Sequence, residues 1–171
     1  MSDQAKTRSL RRLTLMLAMS FAVGASAQRA LADQPPATAP AEGVIRVQSA
    51  YGFDETVMRL KADIGAKGIR FFDEIDQSQL GAGAKLTLRP SKLLLFGNPP
   101  LGVQFLTSNP LAGLDWPVRM LVVQDPDGKV WVAYSDFAFV AHRYAITDRD
   151  PAFKMATEVS GSIAASVTAK P

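Results

Sequence analysis

The chain has 171 residues, enough for one domain with its own core, and no cysteine, which excludes disulfides and thiol redox chemistry. Lys and Arg total 19 and Asp and Glu 16, but four of the cations and one of the anions fall in the first 27 residues, leaving 15 of each beyond them. The remainder is formally neutral and has no basic run, which argues against a nucleic-acid partner.

Lys6, Arg8, Arg11 and Arg12 make a basic start, Leu13 to Gly24 is uncharged and mostly apolar, and Ala25-Ser26-Ala27 closes the segment with small residues. That order predicts a secretory signal peptide over residues 1–27, cut before Gln28. The apolar run is shorter than the roughly 20 residues of a membrane span, so the mature chain is expected to be periplasmic or secreted, with no membrane span after cleavage. Residues 28–43, rich in Ala and Pro, read as an extended tether. Residues 44–171 are expected to form a single domain.

Within that domain, Val44 to Ala50 alternates as a strand, with Val44, Arg46 and Gln48 opposite Ile45 and Val47. Asp54 suits the N-cap of a helix that places Val57, Leu60 and Ile64 on one side and stops at Gly68. Ile69 to Ile75 is a second strand, and Asp76 caps a short helix to Ala84. Lys92 to Phe96 reads as a buried strand. Asn98 and Pro99 follow as N-cap and first helical residue, and Pro110 ends that helix. Val118 to Gln124 and Lys129 to Tyr134 flank Asp125-Pro126-Asp127-Gly128, a hairpin signal. Both faces of this hairpin are apolar, so it is either central in the sheet or covered by a second subunit. Asp136 to Tyr144 and the stretch after Asp150-Pro151 read as helices, the last with Phe153, Ala156, Val159, Ile163 and Val167 at helical spacing. The predicted fold is α+β: a two-layer domain with a mainly antiparallel sheet, a hairpin, and helices on one face.

Three blocks carry a resemblance: Leu93 to Pro99, Gly113 to Val118, and Gly128 to Tyr134. In residues and order they resemble the family called domain of unknown function 302, over about Thr56 to Ile146. The resemblance implies an α+β fold and a homodimer, and it implies no assigned biochemical role. Many members carry histidine after an Ile-Asp pair, where this chain has Gln77 after Ile75-Asp76. Many also carry Arg-His late in the domain, where this chain has Arg143-Tyr144, with His142 about 200° away round the helix.

No complete catalytic set is visible. His142 is the only histidine; it reads first as a hydrogen-bonded, half-buried residue and alternatively as an acid/base group. A zinc site needs three or four ligands, so no metal and no cofactor is expected. Asp73, Glu74 and Asp76 form the densest acidic group, read as a solvated strand end and a helix cap or, alternatively, as paired acid/base carboxylates. Asp125 and Asp127 lack the further ligands of a calcium loop. Gly81 to Lys85 lacks the phosphate-loop pattern.

The strongest site candidate is the turn at Gly97 and Asn98, where free backbone N–H groups at a helix start would attract an anion, with Trp116 and Tyr134 lining an adjacent pocket. The leading expectation is an exported domain that binds a small ligand or an envelope protein partner. A metal-independent hydrolase or isomerase using Asp73, Arg119 and His142, and a structural dimerisation module, are the alternatives. The leader makes the first prediction: the exported protein has Gln28, or its cyclised form, as its first residue by intact mass. A soluble envelope species that retains Met1 would refute it.

Overall fold

The computed structural model describes residues 41–169, so the expected signal peptide and residues 28–40 of the tether lie outside the described residues. Strands β1 (Val44–Gln48), β2 (Arg70–Asp76), β3 (Ser91–Gly97), β4 (Val118–Gln124) and β5 (Val130–Ser135) form one antiparallel sheet in the order β1-β5-β4-β3-β2. Helices α1 (Phe53–Ala66), α2 (Gln77–Gly83), α3 (Pro99–Ser108), α4 (Phe137–Arg143) and α5 (Asp150–Ala165) connect and follow the strands, and a 3-10 turn spans Pro110–Asp115. This is the expected α+β architecture.

Strand alternation decides which face is covered. Leu94 and Phe96 of β3, Met120 and Val122 of β4, and Val130, Val132 and Tyr134 of β5 point inward and are buried. Ile45 and Val47 of β1 pack on the same side. Onto this face α1 places Val57, Leu60 and Ile64, and the end of α5 places Ile163 and Ala164, followed by Val167. A second cluster joins Phe105 of α3, Ala112 of the 3-10 turn, Phe137 and Val140 of α4, and Ala152, Phe153 and Ala156 of α5. Its rings are in direct contact, with Phe105 and Phe153 centroids 4.3 Å apart. The opposite face of the sheet keeps Ile75, Leu93, Leu121, Val123, Ala133 and Trp131 only partly buried. The β4–β5 hairpin lies in the interior of the strand order, yet its outer-face apolar residues stay only partly buried.

The local signals act mostly as read. Asp125 O accepts from Gly128 N at 3.0 Å, and Gly128 takes a φ of 81° that glycine adopts without strain. The Asp76 carboxylate accepts from Gln79 N at 2.9 Å to cap α2, and Asp136 does the same for Ala138 N at the start of α4. Asp54 differs from expectation: Gly52 holds the cap position of α1 without a side-chain bond, and Asp54 sits in the first turn beside Glu55. Its charge still favours the positive helix start.

Glu74 is a second departure. It is no solvated strand end, because Lys61 of α1 and Lys92 of β3 both reach it, at 2.8 and 2.9 Å. These two hydrogen bonds, Lys61 first, hold its carboxyl below the ordinary carboxylate range. A carboxyl with a lowered folded-state pKa stabilises the fold above its unfolded pKa and loses that contribution as pH falls through the folded value. Glu74→Gln is therefore expected to cost about 1 kcal/mol at neutral pH. In denaturant titrations the gap from wild type should close towards pH 3; a constant gap would separate the loss from the charge.

Candidate functional site

A cavity of about 420 Å³ opens where the two core clusters meet. Phe96 and Val118 of the sheet form its floor, Phe105 and Phe137 one end, and Met155, Ala156 and Val159 of α5 one wall. Leu101, Gly102 and Trp116 close the opposite side, and Lys67, Asn98, Glu158 and Ser162 stand at the rim. Apolar side chains dominate, with few polar groups among them, as is usual in small-molecule sites of this size.

Trp116 owes its place to two glycines. A Cβ on Gly102 would fall well inside contact distance of the Trp116 indole, and one on Gly97 would lie 3.2 Å from its Nε1. The indole therefore lies close against bare backbone, with Phe72 edge-on to it at 5.8 Å. The Trp116-Pro117 peptide bond is cis. Of the residues expected at the site, Gly97, Asn98 and Trp116 line this cavity. Tyr134 points to the same side of the sheet but is not one of the cavity walls. Burial raises the pKa of its hydroxyl, with a smaller contribution from Asp136.

The turn itself does not offer the donors expected of it. Asn98 is at the N-cap position of α3, yet its side chain makes no cap bond. Pro99 and Pro100 fill the next two positions and carry no N–H. The first two amides after them, of Leu101 and Gly102, already donate to Asn98 O at 3.1 and 2.9 Å. The helix start thus has no free N–H cluster for an anion, and the amide of Asn98 has no donor at the second position to cap. An asparagine cap is found instead at the 3-10 turn, where Asn109 Oδ1 accepts from Leu111 N at 3.0 Å while its Nδ2 donates to Tyr144 O at 2.9 Å.

Asp73, Arg119 and His142 are not joined into a reacting set. Asp73 is exposed at the β2 irregularity, where its carboxylate accepts from Glu74 N at 2.8 Å. Arg119 turns to Asp115 and Leu114 O. His142 is exposed rather than half-buried, because α4 and the residue after it bury Phe137, Val140 and Tyr144, and position 142 falls on the other side.

The group that sequence reasoning missed is centred on Asp115. Its side chain is only 7% exposed, and it accepts from Arg119, from Arg143 Nη1 at 3.1 Å and from the Tyr144 hydroxyl at 2.6 Å. That hydrogen bond is the main reason the Tyr144 pKa lies above the ordinary tyrosine value. Asp115 belongs to the Gly113–Val118 block, the one sequence sign that it mattered.

The pattern of the family described as "Domain of unknown function DUF302" matches residues 45–167. The chain belongs to the DUF302 family. A crystal structure of a DUF302 protein from Bacillus stearothermophilus superposes with a TM-score of 0.68 at 16% identity, covering 74% of this chain and 99% of that one. At that identity the likeness shows the fold. Proteins named "Fluoride-specific ion channel FluC 1" from Brucella suis and Brucella abortus are 34% identical over 133 residues, 75% of this chain and 51% and 48% of theirs. This DUF302 chain thus spans about half the length of the curated relatives it matches, and none of its described helices is long and apolar enough to cross a membrane.

The seat of Trp116 gives a direct test. Gly102→Ala is expected to destabilise the domain by about 1–3 kcal/mol, because a packed ring rather than a flexible tip must move. Gly65→Ala, in α1 with nothing within 4 Å of the added Cβ, should be neutral or stabilising by up to about 1 kcal/mol. Denaturation midpoints of the two variants check the contrast; equal losses would refute it.

Proposed function

We propose that this DUF302 domain is an exported binding protein that holds a small, mainly apolar molecule in the cavity between its two core clusters. The observation that carries the reading is the cavity itself: about 420 Å³, with aromatic and aliphatic walls and a polar rim. Ligands buried in such clefts gain chiefly from removal of apolar surface from water. Export rests on the basic, apolar and small-residue order of the first 27 residues. The channel name carried by the Brucella relatives agrees with an envelope setting.

The outer face of the sheet favours a second, compatible reading, a homodimer. Leu93, Leu121 and Ala133 stand side by side across three strands there, only partly buried, with Val123 and Trp131 in the neighbouring row. A contiguous apolar sheet face is a common association surface.

Native mass spectrometry of the protein purified from its own host envelope is expected to show a retained small molecule in wild type. Val159→Phe, which adds a ring to the cavity wall, should lose it; retention by that variant would place the ligand elsewhere. Sedimentation should give two chains per particle for wild type and one for Leu121→Glu. A wild-type mass of one chain across micromolar concentrations would end the dimer reading.

A further inference from the structure

We infer that the occupant of the cavity is a neutral, mainly apolar molecule bearing one hydroxyl or carbonyl group, and that Ser160 is the residue that selects it. The inference rests on the ligand-binding reading above and adds the chemical class.

Ser160 lies at the middle of α5, is only 1% exposed, and lines the cavity. Two neighbouring hydroxyls satisfy themselves on backbone carbonyls: Thr157 donates to Phe153 O at 3.0 Å, and Ser166, just past the helix, to Ile163 O at 2.7 Å; Ser162 makes no such bond but is exposed. Ser160 makes no such bond, and the fully enclosed polar side-chain atom without a partner among the described residues is Trp131 Nε1, so the Ser160 hydroxyl keeps contact with the open space it lines. A hydroxyl carries one donor and two acceptor lone pairs, and a ligand that seals it off unpaired pays for doing so. The cavity is the one direction left to it, so a ligand atom that can pair with a hydroxyl is favoured there over a purely apolar one.

The walls and the rim define the rest of the molecule. The volume is nearly three times the roughly 150 Å³ that accepts a benzene ring, room for two fused rings or a medium alkyl chain. The rim carries one charge of each sign, Lys67, bound to Asp63, and Glu158, 3.9 Å from Lys154, so it favours neither a carboxylate nor an ammonium. The apolar interior penalises both. Neutrality follows from this balance, and the single polar group follows from Ser160.

Isothermal titration of naphthalene, 2-naphthol, 2-naphthoate and protonated 2-naphthylmethylamine into wild type, Ser160→Ala and Val159→Phe tests this. Alanine suits a helix interior, so Ser160→Ala is expected to remain folded, with unchanged circular dichroism. Wild type should bind 2-naphthol most tightly. Ser160→Ala should weaken 2-naphthol about two- to tenfold, the worth of one net hydrogen bond, and leave naphthalene unchanged. If Ser160→Ala changes neither ligand or both equally, or if either ion binds better than 2-naphthol, the class is wrong while the cavity still binds. If no ligand binds, or if binding survives in Val159→Phe, the cavity reading itself fails.

Discussion

Ile163, Ala164 and Val167 press the last turns of α5 and the residues just after it onto the inner face of the sheet, while Ala152, Phe153 and Ala156 press its first turns among Phe105 and Phe137. Each large side chain buried this way contributes on the order of 1.5–3 kcal/mol. The two clusters share Val118 of β4 at their edges, and α5 bridges them. Its middle, around Val159 and Ser160, lines the cavity together with Phe96 and Val118 of the sheet. The cavity thus lies where one helix passes from one core to the other. Further anchoring comes from the end of the chain, where Ser49 donates to Val167 O at 3.3 Å and shares a 2.7 Å hydrogen bond with Thr56 of α1.

The Asp115 group acts on the same cavity from the other side. Asp115 binds Arg119 on β4 and both Arg143 and Tyr144 at the end of α4, so two elements hold the 3-10 turn in one orientation. The next residue is Trp116, whose indole covers Gly102. A largely buried carboxylate surrounded by two guanidiniums and a phenol is satisfied by its partners. Its part here is positional: it sets the angle at which the chain enters β4 and thereby the wall that Trp116 forms.

Much of the fold was legible from local chemistry. The strands announced themselves by alternation, the hairpin by Asp125-Pro126-Asp127-Gly128, and the short helices by Asp76 and Asp136, because each of these signals acts within a few residues. The site was less legible for the same reason. That Pro100 removes the donor Asn98 would cap is readable in principle, but proline at the helix start obscured it by being so common there. That Gly97 and Gly102 make room for Trp116, or that Tyr144 meets Asp115 from 29 residues away, depends on tertiary placement alone. His142 was misplaced because the buried side of α4 is set by Phe137, Val140 and Tyr144, not by the sheet in general.

Strand order also governs when the molecule can become itself. β2, β3 and β4 are each paired with the next strand along the chain, but β1, the first, pairs only with β5, the last, through Val44 opposite Ser135 and Gln48 opposite Trp131. Ala50 N then donates to Val167 O at 2.8 Å, tying the opening of the domain to its final turn. Such long-range closure is slow and comes late in folding. A chain that has not yet made β5 cannot seat its first strand, and one that has not yet made α5 cannot complete its core, so both ends of the domain wait on its last elements.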